Sequence, residues 1–198
     1  MWALVEDNTI TKIINNPKAM VIGSTQYSRN IFSFRWSNAE REAIGIYEVV
    51  FDNTKKKDGE YYNNTNQTFT YDADAGTVTA TYGDATAKAH ADANAVDDDG
   101  NDLDPVIVIE GLKTIKIRNI KTQAASELAR TDWYIVRKAD AGTSVPSAIT
   151  NHRAAVRTKC ASMETAITNA SDTPAIETLY TRNADGVRPL GDLPVLES

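Results

Sequence analysis

The sequence predicts an α+β protein: an N-terminal antiparallel β-rich region over residues 1–121, a C-terminal helical hairpin over 122–170, and an extended tail with one short helix over 171–198. Three observations lead there. The front repeats short β-branched and aromatic runs separated by Asn, Asp and Gly, the pattern of strands and turns. The back spaces Ile149, Val156, Cys160, Met163 and Ile167 by 7, 4, 3 and 4 residues, a helical seam. After Thr181 periodicity is lost and Gly186, Pro189, Gly191 and Pro194 return.

The first elements read as a hairpin. Trp2–Val5 and Thr9–Ile14 are its strands, and Asp7-Asn8 supplies the turn chemistry. Ala19–Ile22 is a short apolar run ending at Gly23, and Tyr27–Phe34 alternates loosely. Ser37-Asn38-Ala39-Glu40 has the spacing of a capping box, which opens a short helix near 37–43. Ile44–Phe51 follows as a strand. Residues 52–61, with Lys55, Lys56 and Lys57, form a solvated loop. Gln67–Tyr71 and Thr77–Tyr82 alternate around Asp72–Gly76 and give the clearest hairpin in the chain.

Residues 83–104 are small, polar and acidic, with Ala85–Ala93 as a weak helix or linker. The run Asp97–Asp104 invites a calcium reading but misses the EF-hand spacing. With Asp97 first, position 6 is Asp102 and position 12 is Val108, where Gly and Glu are required. Val106–Ile109 is a continuous apolar run, expected as a strand covered on both faces. Leu112–Lys121 alternates in its middle through Ile115 and Ile117 and reads as a final strand with a basic side.

The hairpin then begins. Its first helix spans about Thr122–Lys138, with Leu128, Asp132 and Ile135 on one face and Trp133 and Val136 at its edge. Ala139–Gly142 is the turn, with Gly142 suited to a left-handed stop. The second helix opens with Ser144 as cap and Pro146 in the first turn, and runs to Ala170, roughly 39 Å at 1.5 Å per residue. Arg153 occupies the remaining seam position, and Asp132 beside Arg137 or Arg153 reads as a structural ion pair. Trp133 and Tyr134 suit hairpin packing better than a ligand platform. The seam can close within one subunit or between subunits. Asp172-Thr173-Pro174 opens the short helix to about Tyr180, with Thr173 as cap, and the tail beyond is expected to be ordered only against a neighbour.

Two stretches carry a resemblance. Thr131-Asp132-Trp133-Tyr134-Ile135-Val136-Arg137, followed by Gly142, Pro146, Arg153, Arg157 and Glu164, resembles a pattern near the C-termini of tailed-bacteriophage tail and fibre components and tail-fibre assembly proteins. Trp36–Val50, an acidic short helix followed by Ala-Ile-Gly-Ile-Tyr, is similar to a small module of phage tail and fibre-associated proteins. His152 stands where Tyr is common, and Pro189–Ser198 differs from the Trp-Pro ending of the assembly proteins. The resemblance implies a structural virion component of the tail, baseplate, neck or fibre region, made in the host cytoplasm. Its partners would be other virion proteins and further copies of itself. The alternatives are a tail-fibre assembly chaperone and a receptor-binding module using Trp36, Tyr61, Tyr62 and Tyr71. The candidate interface residues are Trp133, Tyr134, Ile149, Arg153, Val156, Cys160, Met163 and Ile167.

Composition narrows the rest. A formal net charge of −6 argues against nucleic acid as the main partner, since phosphates demand a basic face. No apolar run approaches the roughly 20 residues of a membrane helix, so no membrane partner is expected. Met1–Glu6 lacks the basic and long apolar regions of a secretory signal. One cysteine, Cys160, cannot form an internal disulfide. His90 and His152 have no partner at metal-ligand spacing, and the chain has neither a nucleophile elbow nor a phosphate-binding Gly-rich loop. The expectation is therefore a non-enzyme without cofactor or metal.

Overall fold

The computed structural model describes residues 1–196. The protein is α+β, with strands mainly in its N-terminal part and helices in its C-terminal part. It divides into two compact units, Met1–Thr86 and a second that begins at Ala87. The division falls before the expected boundary at residue 121 because Leu112–Lys121 is helical and packs with the later helices.

In the first unit, β1 (Trp2–Glu6) and β2 (Thr9–Ile14) form the expected hairpin. Asp7 and Asn8 take φ of 48° and 58°, the left-handed pair whose twist matches that of the strands. β3 (Met20–Ile22) pairs with β4 (Thr25–Tyr27). The loose alternation of Tyr27–Phe34 does not become a strand. Ser28 Oγ caps Asn30 N–H at 3.3 Å and starts a 3-10 turn over Arg29–Phe32. The capping box is present: Glu40 N–H donates to Ser37 Oγ at 3.3 Å, and Ser37 N–H donates to Glu40 Oε2 at 2.7 Å. It opens α1 (Asn38–Glu42).

β5 (Ile46–Asp52) pairs antiparallel with β1 and parallel with β8 (Thr77–Thr81). β6 (Tyr62–Asn63) and β7 (Thr68–Asp72) lie between β5 and β8 in sequence, and β7 pairs antiparallel with β8. The sheet order is β2-β1-β5-β8-β7. The region is thus mixed rather than wholly antiparallel. The excursion through residues 53–76 reverses the chain before β8, and that length permits a parallel return. The sheet curls until β2 approaches β7. Both faces carry buried side chains. Ala3, Val5, Val49, Val78 and Ala80 fill one side, and Leu4, Ile14 and Ile46 fill the other. Gly45 is fixed by geometry: its φ is +81° and its carbonyl accepts Val5 N–H at 2.8 Å, so a Cβ there would lie 2.5 Å from Val5 O.

The second unit opens on a short strand pair, Ala93–Asn94 with Val108–Ile109. Val106–Ile109 is not the covered central strand its composition suggests: all four side chains are more than half exposed. Helices follow. α2 (Leu112–Ala129) replaces both the expected strand and the start of the expected first helix. Its buried positions, Leu112, Lys116, Ile120 and Ala124, recur every fourth residue. α3 (Asp132–Ala141) is a separate short helix, ended by Gly142 at φ 68° as expected. α4 (Ser147–Asn169) starts after Pro146 rather than at a Ser144 cap, since Pro146 takes an extended ψ of 143°. α5 (Thr173–Tyr180) is capped by Asp172, whose Oδ1 accepts Ala175 N–H at 2.8 Å. Thr173, the expected cap, is buried and donates to Lys88 O at 2.6 Å.

The tail also differs from expectation. Leu190 is buried in the helical core, and its N–H donates to Leu179 O at 3.0 Å. Asp192 accepts from Arg182 at 3.2 Å and Arg188 at 2.8 Å. Residues 190–193 therefore lie on their own helices without needing a neighbour. Residues 197 and 198 of the expected tail fall outside the described residues.

Candidate functional site

The eight candidate interface residues separate into a buried set and a pair on α3, of which Trp133 is exposed and Tyr134 half-buried. Ile149, Val156, Cys160, Met163 and Ile167 are all below 9 % exposed. The last four join Ile120 and Ala124 of α2 and Leu190 in one core. The seam thus closes within its own chain. Cys160 is consumed by this packing. Burial, together with the Glu164 carboxylate 3.4 Å from its sulfur, pushes its thiol above the ordinary range, away from the reactive thiolate.

Arg153 joins the two sets. Its Nη1 donates to Leu128 O and Thr131 Oγ1, each at 2.7 Å, and lies 2.8 Å from Asp132 Oδ1. Leu128 supplies a carbonyl at the C-terminal end of α2, where the helix field favours a cation. Asp132 is the first residue of α3. One guanidinium therefore ties the end of α2 to the start of α3, and of the two partners the sequence offered Asp132, Arg137 and Arg153, it is Arg153 that makes the ion pair. Thr131, itself 1 % exposed, donates its hydroxyl to Leu128 O at 3.0 Å and completes the joint.

Above this joint, α3 buries no residue. Trp133, Ile135 and Val136 are 51 %, 43 % and 65 % exposed. Trp133 and Tyr134 lie ring on ring, centroids 3.8 Å apart, rather than packing inside the hairpin. The Arg137 guanidinium sits 4.7 Å from the Trp133 ring and 5.4 Å from the Tyr134 ring. Arg137 and Lys138 make no ion pair among the described residues. Ile135 and Val136 were legible as apolar, but only the fold shows how far the described residues leave them in solvent.

Other sites carry less. An open groove of about 470 Å³ runs along α2 past Thr114, Ile117, Arg118 and Lys121, but its cations are committed to Glu110 and Glu164. Among the described residues no three His, Cys, Asp or Glu side chains are grouped to hold a metal. In the acidic loop, Asp97 Oδ1 accepts the N–H groups of Asn101 at 2.9 Å and Asp99 at 3.0 Å. These bonds, that of Asn101 foremost, hold its carboxyl below the usual range. His152 is buried, and its Nε2 has no hydrogen-bond partner. Of the four candidate sugar-binding aromatics, Tyr61 and Tyr62 are core residues, and Tyr71 donates to Tyr47 Oη at 3.1 Å. Trp36 packs edge-on against Tyr27 at 6.2 Å. They form no exposed platform. No helix among the described residues is long and apolar enough to cross a membrane.

No protein-family model, curated protein or solved structure matches the chain.

Proposed function

We propose that this chain is a structural component of a tailed-phage virion, in the tail, baseplate, neck or fibre region. It acts through protein–protein interfaces and in multiple copies, not by catalysis. The two motif resemblances supply the class of particle. The observation that carries the mode of action is α3: a helix with Trp133, Ile135 and Val136 in solvent, held rigidly at its base by Arg153. Exposed apolar groups concentrated on one ordered element are a usual mark of a contact surface. Rigid presentation lowers the entropic cost of using it.

Mass spectrometry and cryo-electron microscopy of purified virions from a genome encoding this sequence test the reading. The expected result is the chain in several copies per particle, with α3 against a neighbouring subunit. Virions without the chain overturn it. A chain bound to fibre protein in lysates but missing from virions transfers the reading to an assembly chaperone.

A further inference from the structure

The second unit carries another uncovered apolar element besides α3. Val106, Ile107, Val108 and Ile109 are 54–58 % exposed, and Val96 across the loop is 55 % exposed. Four consecutive β-branched residues are thus more than half exposed, Val108 and Ile109 in a two-stranded ribbon and Val106 and Ile107 just before it. Left open, such a ribbon invites unwanted pairing.

The charges around the two elements are opposite. The loop joining the ribbon strands carries Asp97, Asp98, Asp99, Asp102 and Asp104, all exposed and none in an ion pair among the described residues. α3 presents Arg137 and Lys138, also without ion pairs, against one free carboxylate, Asp140, because Asp132 is held by Arg153.

We infer that the occupant of α3 is a second copy of this chain, which docks through its Val96 and Val106–Ile109 ridge, so that copies join head to tail. This deepens the multi-copy part of the proposed function. Charge decides between the available pairings. Ridge against ridge sets five carboxylates facing five. Helix against helix sets Arg137 and Lys138 facing themselves. Ridge against helix places apolar side chains together and cations beside carboxylates, which fixes register and suppresses the symmetric pairings. A contact between two different surfaces leaves one of each free at every step, so it propagates into a ring or an open array.

The test uses the full-length chain in solution. The ridge variant is Val108→Asp, and the helix variant combines Trp133→Ala with Val136→Asp. Circular dichroism checks that each stays folded, as substitutions at exposed positions should. By light scattering and sedimentation, the unmodified chain is expected to associate with rising concentration, and less so with rising salt. Each variant alone should associate about tenfold or more weakly. An equimolar mixture should recover a 1:1 dimer that grows no further, since one variant keeps a helix and the other a ridge. A chain monomeric at about 100 μM, a loss confined to one variant, or a mixture no better than its parts would each overturn the inference. These results are read on the isolated protein. Their failure leaves virion membership standing, and absence from virions leaves self-association standing.

Discussion

α3 and α4 are consecutive in the chain, and each carries several apolar residues. Their fates differ. Val156, Cys160, Met163 and Ile167 of α4 pack with Ile120 and Ala124 of α2 and are spent on folding, and Ile149 is buried as well. Nothing on α3 is buried, and its apolar groups are spare. The difference lies in anchoring. α4 is held by its side chains along its whole face. α3 is held at one end, by Asp132 on Arg153. Periodicity marks the helix that builds the core, and a short helix without a buried stripe marks what the fold offers to others.

The largest effect that would break this comparison is a cavity in the seam. Ile167→Ala or Met163→Ala, at 0 % and 1 % exposure, should lower stability by about 2–5 kcal/mol in urea unfolding. Ile135→Ala and Val136→Ala should stay within about 0.5 kcal/mol. Equal losses on both helices would show that α3 is packed in solution and would remove the contrast.

A smaller effect is expected at the joint. Arg153→Met keeps the bulk but removes the donors to Leu128 O and Thr131 Oγ1 and the partner of Asp132. The cost should be about 1–3 kcal/mol, toward the lower end for the ion-pair part because Asp132 is 57 % exposed. Hydrogen exchange locates it: amides of residues 132–141 should exchange faster, while those in the middle of α4 keep their protection. Arg153→Lys should restore little, since a lysine is one bond shorter and its ammonium falls short of the point where Nη1 meets all three acceptors. Uniform loss of protection across the unit would mean that Arg153 supports the core and not α3.

How far the sequence revealed this arrangement depends on whether a residue's periodicity reports its burial. On α4 it does, and the seam was legible. On α2 it does not. Lys116 occupies a core-face position, 4 % exposed, with its ammonium 4.3 Å from the Tyr180 ring. A lysine there hides the four-residue repeat of Leu112, Ile120 and Ala124, and Ile115 with Ile117 then mimics a strand. A buried ammonium held over an aromatic ring is a tertiary fact that no local pattern announces. Val106–Ile109 fails in the opposite sense: four apolar residues read as interior, yet each is more than half exposed among the described residues. Arg153 was readable as a partner of Asp132, but its bonds to Leu128 and Thr131 depend on where α2 ends. The exposure of Trp133 follows from α3 being a separate helix rather than a continuation of α2.

The smallest predicted effect sharpens the comparison at the edge of the seam. Lys121 of α2 lies 3.0 Å from Glu164 of α4. That hydrogen bond, the leading cause, holds the Glu164 carboxyl below the ordinary range. A carboxylate depressed in the folded state adds stability above its unfolded value, near 4.3, and loses it as pH falls through the folded value. The unmodified chain should therefore weaken in that acid window relative to Glu164→Gln, which cannot ionise there. Other depressed carboxylates, Asp92 and Asp97 among them, are common to both proteins and cancel in the difference. With side chains 59 % and 29 % exposed, the pair should contribute less than about 1 kcal/mol, and added salt should shrink it. Because the tie joins α2 to α4 and leaves the Arg153 joint alone, exchange in α3 should be the same in both proteins. A change there would mean that the joint and the seam respond as one body, and that α3 owes its position to more than its single anchor.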